Sequence, residues 1–145
     1  SSGHVGIFRT SIALWNKQPV FGHGLKSFRF KCWEILSKMK SERYSCSNQS
    51  HNYYIELLTE AGIFGAIFIF IFLISIFRES LNYIKKIYKK NKLDLNLFIA
   101  IFLIFFIEIW PLKSTGSFFT SWNATFLWLI ISMLYSIIRK NKLKL

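Results

Sequence analysis

The chain has 145 residues, of which 52% are apolar and 19% aromatic, yet it carries 19 Lys and Arg against 7 Asp and Glu, for a net charge of +12. Apolar and basic residues occupy separate blocks, a segregation that argues against a soluble domain and for an all-α integral membrane protein. Aromatics interleaved with cations at Phe28-Arg29-Phe30-Lys31-Cys32-Trp33 invite a nucleic-acid reading, but such a domain has no use for three apolar helices, so no nucleic-acid partner is expected.

In chain order, Val5 to Trp15 reads as a short helix with an apolar stripe of Ile7, Phe8, Ile12 and Trp15. Pro19, Gly22 and Gly24 break it, and Phe21-Gly22-His23-Gly24 reads as a turn whose small residues let the backbone approach another element. Phe28 to Lys40 is expected to form a second amphipathic helix at the membrane surface, followed by a polar connector from Ser41 to Ser50. Asn52 is a good N-cap for the helix that enters the membrane, which puts His51 at the last loop position, at the water boundary.

Three apolar blocks follow, Gly62 to Phe77, Leu95 to Trp110 and Phe118 to Ile138, and these predict transmembrane helices over 55–77, 95–110 and 118–138. The third, at 21 residues, matches the hydrocarbon thickness unaided. The first extends into Ile55, Leu57, Leu58 and Ala61, and the second needs tilt or local thinning. Arg78, Lys85, Lys86, Lys89, Lys90 and Lys92 mark 78–94 as a cytoplasmic loop, and Arg139, Lys140, Lys142 and Lys144 mark 139–145 as a cytoplasmic tail. The connection 111–117 holds only Lys113 and falls on the opposite side, so residues 1–54 lie outside the cytoplasm. Trp110, Trp122 and Trp128 read as helix and interface aromatics. The chain opens at Ser1-Ser2-Gly3-His4 without an initiator Met, and further apolar helices are expected to precede it.

The outer segment carries eight Lys and Arg against two Glu, an excess that the positive-inside rule does not demand of a long loop. An anionic ligand accounts for it, or else a surface lying on anionic headgroups. Cys32 and Cys46 both fall here, where an oxidising compartment lets them pair; the alternative is two unpaired thiols. No metal is expected, because there is no Cys-x-x-Cys and His4, His23 and His51 lack ligand spacing. Glu56 and Glu60 share a helix face near the outer boundary, where pairing with loop Lys or Arg is the expected role. Glu108, costly inside lipid, must face protein or water.

Two segments carry more specific information. One is His4-x4-Arg9-x5-Trp15-x3-Pro19-x2-Gly22-His23-Gly24-x3-Phe28-Arg29; the other is Cys46-x4-His51-Asn52-Tyr53-Tyr54-Ile55-Glu56-Leu57-Leu58-x-Glu60-x-Gly62-x2-Gly65. Together they resemble the C-terminal half of the O-antigen ligase and polymerase family, in which a Pro-x-x-Gly-x-Gly-x-x-x-Phe turn precedes a His-Asn pair leading into a helix with Glu-x-Gly-x-x-Gly. The likeness runs from about residue 3 to 77. It implies the C-terminal part of a larger, multi-helix GT-C-like transferase in the bacterial inner membrane, with the loop periplasmic and the C-terminus cytoplasmic. It further implies transfer of a glycan from an undecaprenyl diphosphate carrier to an acceptor hydroxyl, on lipid A core for a ligase, with no cofactor and no nucleotide sugar. An O-antigen polymerase and a protein O-oligosaccharyltransferase are alternatives within the family, and a non-catalytic transporter or flippase component is the alternative outside it.

Many family members carry Arg directly after Ser-Gly, where this chain has His4; Arg9, one or two turns along the same helix, is the expected substitute. A departing diphosphate gathers negative charge that fixed cations stabilise, Arg with bidentate geometry. Arg9, Arg29, His4 and Lys26 are the candidates, with Arg9 and His51 as the catalytic pair. Imidazole exchanges protons near neutral pH, so His51 can accept the acceptor's proton or donate to a phosphate oxygen. Trp15, Pro19, Gly22, Gly24, Asn52, Glu60 and Gly62 are read as shaping the loop.

Overall fold

The computed structural model describes residues 3–39, 43–88 and 92–142. Its elements are α1 (Gly3–Trp15), α2 (Phe28–Met39), α3 (Tyr53–Ile87), α4 (Lys92–Glu108) and α5 (Ser121–Lys142), with no strand among the described residues. They form two compact units, one from the described residues of Ser1–Ile69 with Pro111–Asn123, the other from those of Phe70–Trp110 with Ala124–Leu145.

The first unit has a small core. Ile7 and Leu14, two turns apart on α1, meet Phe28, Cys32 and Ile35, which recur every three or four residues along α2. Ala13 and Cys46 pack against this cluster, and a disulfide joins Cys32 to Cys46 with their Cα atoms 5.6 Å apart. The connector is also seated on α1, where Thr10 Oγ1 donates to Ser45 O at 2.8 Å and a side chain at Gly6 would collide with the Ser45 hydroxyl.

Helix α3 starts where Asn52 Oδ1 accepts from the amides of Tyr54 (3.1 Å) and Ile55 (3.2 Å), an N-cap that satisfies donors the helix leaves open. It breaks at Gly62 (φ 67°, ψ −172°) and resumes to Ile87. The basic stretch assigned above to a loop over 78–94 is therefore helical as far as Ile87: Lys is a good helix former, and Tyr83 and Ile87, four apart, bury one face. Lys89 and Lys90 lie outside the described residues. The apolar block 95–110 forms helix only to Glu108, with Pro111 just beyond, and Phe118 belongs to the turns before α5 instead of opening a helix.

In the second unit α3 and α4 run antiparallel, as the ring contacts Tyr83–Phe98 (4.4 Å) and Phe77–Phe102 (5.2 Å) require. Phe98, Phe105, Leu127 and Leu134 are buried, but Phe70, Ile71 and Leu129 are each more than half exposed. Apolar side chains outside as well as inside are what a lipid solvent permits and water does not. Two helices, Tyr53–Ile87 and Ser121–Lys140, are long and apolar enough to cross a membrane; Leu95–Glu108 is apolar but shorter.

Candidate functional site

The site is organised by the break in α3. At Gly62 the helix cannot satisfy its own backbone, and the turn after α1 supplies the missing partners. The amides of His23 and Gly24 donate to Thr59 O (3.0 Å) and Glu60 O (2.9 Å), while the Ile63 amide donates to Pro19 O (2.9 Å). Gly22 (φ 69°) and Gly62 lie backbone to backbone, since a Cβ on Gly22 would stand 2.6 Å from Gly62 N, and one on Gly62 equally close to Gly22 N. Trp15 Nε1 donates to Pro19 O at 3.2 Å and holds the turn from the α1 side. Gly24 (φ 94°) needs its glycine for conformation alone, as nothing lies within 4 Å of a Cβ there.

Glu60, buried below the turn, accepts from the amides of Lys26 (2.5 Å) and Phe28 (3.2 Å), and so caps the N-terminus of α2 from another helix. Glu56 accepts from Ser117 Oγ and from the Phe118 amide (2.5 Å). The expected ion pairs with loop Lys or Arg are thus replaced by backbone and hydroxyl donors. A carboxylate buried at a helix crossing is better satisfied by fixed dipoles than by long side chains that must be ordered.

Just before α3 the chain takes a further left-handed step at His51 (φ 57°), as it does at Lys26 (φ 58°) ahead of α2. A non-glycine residue in this left-handed region is held there by its surroundings. The His51 carbonyl accepts from the Thr115 amide (2.9 Å), Asn52 Nδ2 donates to Pro111 O (2.7 Å), and Gln49 Oε1 accepts from the Ser117 amide (2.9 Å). The His51 ring has Nε2 3.0 Å from Ser47 Oγ and Nδ1 3.5 Å from Gln49 Nε2, and it meets the His4 ring edge to face at 5.2 Å. With its oxygen committed to Ser117, Gln49 turns its NH2 toward Nδ1, which favours the proton on Nε2, where it is donated to Ser47.

Beside this pair opens a cleft of about 490 Å³ lined by residues that include His4, Phe8, Asn52, Tyr54 and Lys113. A second cleft, of about 360 Å³, lies along α1 and α2 and is lined by Lys17, Gln18, His23, Lys31 and Glu34 among others. There His23 Nε2 lies 2.8 Å from Leu14 O, and hydrogen bonds from Lys38 and Lys31 hold the Glu34 carboxyl down at about 2.

Residues 1–70 match the family model described as O-Antigen ligase. This segment belongs to the O-antigen ligase family. No curated protein and no solved structure matches the chain.

The O-antigen ligase segment contains all three positive-φ glycines, the Glu60 cap, the disulfide and His51. Of the candidate site residues, the structure brings His4 to His51 and to the first cleft. Arg9 is exposed and lines neither cleft; five positions after His4 it projects about 140° around α1 from it, whereas Phe8, four after, keeps the same face. Lys26 and Arg29 sit instead at the Glu60 cap, Lys26 through its amide and Arg29 stacked over the Phe30 ring at 5.8 Å. Ser47, Gln49, Thr115 and Ser117 were not among the candidates. The last two join the site from more than sixty residues away, and no local spacing announces such a contact.

Proposed function

We propose that this chain is the C-terminal part of a membrane glycosyltransferase that moves a glycan from undecaprenyl diphosphate to an acceptor hydroxyl, the lipid A core for a ligase, on the periplasmic side of the bacterial inner membrane. The observation that carries the reading is His51, fixed in a strained conformation against His4 beside a cleft with Tyr54 and Lys113, within a segment of the O-antigen ligase family. In the reaction, the acceptor O–H loses its proton, its oxygen bonds to the sugar's anomeric carbon, and the bond from that carbon to the diphosphate breaks. His51 takes the proton on Nδ1, the ring nitrogen that carries none, Ser47 and His4 orient the ring, and Lys113 on the cleft wall faces the charge developing on the leaving group, while Arg9, turned off the cleft, has no part in the step.

Three membrane spans belong to the same proposal. The short helix Leu95–Glu108 measures about 21 Å against about 30 Å of hydrocarbon, so it crosses only with its flanks and with thinning of the bilayer. A transporter is disfavoured by the break at Gly62. Broken transporter helices offer their open backbone groups to substrate and ions, whereas Thr59 O, Glu60 O and the Ile63 amide are taken by the turn.

The test is His51→Asn in the full-length protein. Asn tolerates positive φ, so the backbone is kept while the proton-carrying ring is lost. Transfer from a lipid-linked donor in membranes is expected to disappear with the membrane level of the protein unchanged; undiminished transfer overturns the assignment.

A further inference from the structure

An amphipathic helix normally turns apolar residues to the core and polar ones outward, but α2 carries apolar residues on both sides. Phe28, Cys32 and Ile35 face the core. On the opposite side Phe30 is 71% and Trp33 60% exposed, and in the preceding turn Phe21 is 78% and Leu25 64% exposed. These four large apolar side chains stand outside the core of the first unit and form a surface that water disfavours.

What this surface meets is indicated by its continuation. The Phe21 ring lies 5.9 Å from that of Phe64, and the turn is bonded to α3 at Gly62, where the apolar run toward Phe77 begins. Ile63, Phe64, Ile67 and Phe68 are exposed along that part of α3, so Phe21 extends the same apolar face sideways at the level where the helix enters lipid. Around the patch stand cations: Lys26, Arg29, Lys31 and Lys38, with Glu34 already engaged by the last two. Apolar rings flanked by cations are the pattern of a helix lying in the headgroup region of an anionic bilayer.

We infer that the turn at 20–25 and the outer face of α2 form a foot inserted into the outer leaflet, with Phe21, Leu25, Phe30 and Trp33 below the headgroups and Lys26 and Arg29 at the level of their phosphates. The inference rests on the proposed membrane reading and deepens it, because a lipid-borne diphosphate lies at that same depth. Lys26 and Arg29 thereby serve to hold the membrane, and a carrier's phosphates within it, while proton transfer stays with His51.

The experiment places a nitroxide at Phe21→Cys, Leu25→Cys, Phe30→Cys or Trp33→Cys, with Lys17→Cys as the aqueous control, in the full-length protein in vesicles of phosphatidylethanolamine and phosphatidylglycerol. The native disulfide is left intact. Collisions with oxygen are expected to exceed those with a water-soluble nickel chelate at the four foot positions, with the order reversed at position 17. Greater access to the nickel chelate at the foot positions, as in water, or low access to both reagents, as under another protein segment or a second copy, overturns the inference. Glycan transfer measured on the same labelled variants and on the unlabelled protein separates the two readings: a water-exposed foot in a transferring enzyme defeats only the foot, whereas an inserted foot in a protein whose unlabelled form transfers no glycan defeats only the transferase.

Discussion

Replacing Gly62 by Ala opposes two effects of different sign. In an ordinary helix interior the change would stabilise by about 1 kcal/mol, since Ala is the better helix former. Here Gly62 adopts φ 67° and ψ −172°, a region nearly reserved for glycine, where another residue costs roughly 1–3 kcal/mol. The new methyl would also stand 2.5 Å from the Val20 carbonyl carbon and 2.6 Å from Gly22 N, and backbone cannot swing aside as a side chain can. Relief requires the turn to leave, giving up three short backbone hydrogen bonds worth about 0.5–1.5 kcal/mol each. Together these weaken docking of the turn by roughly 3–6 kcal/mol, a factor of at least about a hundred in the docked fraction. Amide exchange in the purified full-length protein reads that opening directly at His23, Gly24 and Ile63. The comparison is Gly24→Ala, which meets no atom within 4 Å and has only its φ of 94° to lose, about 1–2 kcal/mol. Gly62→Ala should accelerate exchange at these amides far more than Gly24→Ala. Equal protection in the two variants, or a gain in Gly62→Ala, would refute the docked turn as the reason for the glycine.

Glu60→Ala should leave the Lys26 and Phe28 amides without an acceptor, cost about 1–3 kcal/mol and speed exchange through the first turn of α2; Glu60→Gln, with one acceptor oxygen, should fall between. Reduction of the Cys32–Cys46 bridge, or Cys46→Ser, removes a loop closure across a separation of 14 residues and should lower the unfolding free energy of the first unit by about 3 kcal/mol, read as a lower thermal midpoint under reductant. Gly6→Ala pushes a methyl into the Ser45 hydroxyl and should loosen the connector, measured as faster exchange over 44–47, and Ser45→Gly in the same chain should restore much of the protection.

The membrane character, helices α1 and α2 and the Asn52 cap were legible because each depends on neighbours in sequence: block hydropathy, periodicity, a side chain reaching two or three residues on. The Phe21-Gly22-His23-Gly24 turn was legible as a need for close approach, but what it approached was not. The partners of Gly22 lie some forty residues on, and a kink within an apolar helix has the same composition as a straight one. The donors that meet the two glutamates were not foreseen, for a related reason. Charge counting finds Lys and Arg as partners for a carboxylate, and it is blind to the open amides of a helix start at Phe28 or a turn at Phe118. Arg9 looked equivalent to His4 in one-dimensional spacing, yet one extra residue in a helix turns a side chain by about 100°, enough to move it off the cleft.

The stretch from Asn52 to Gly62 gives these separate contacts a common logic. Asn52, Glu56 and Glu60 recur every four residues and so follow one face of α3. Each receives a different part of the chain: Asn52 binds the Pro111 carbonyl, Glu56 the Ser117 hydroxyl and the Phe118 amide, and Glu60 the start of α2. Thr59, beside Glu60, donates to Ser11 O on α1 at 3.3 Å. A single polar face at the end of an apolar helix thus fixes three segments that are distant in sequence, and His51 sits at its first turn, where any shift of those segments is felt. It follows that mutations at Glu56 or Ser117, which touch neither cleft, should alter the orientation of His51 through Thr115 and Gln49, so their effect on transfer should fall on turnover more than on membrane level.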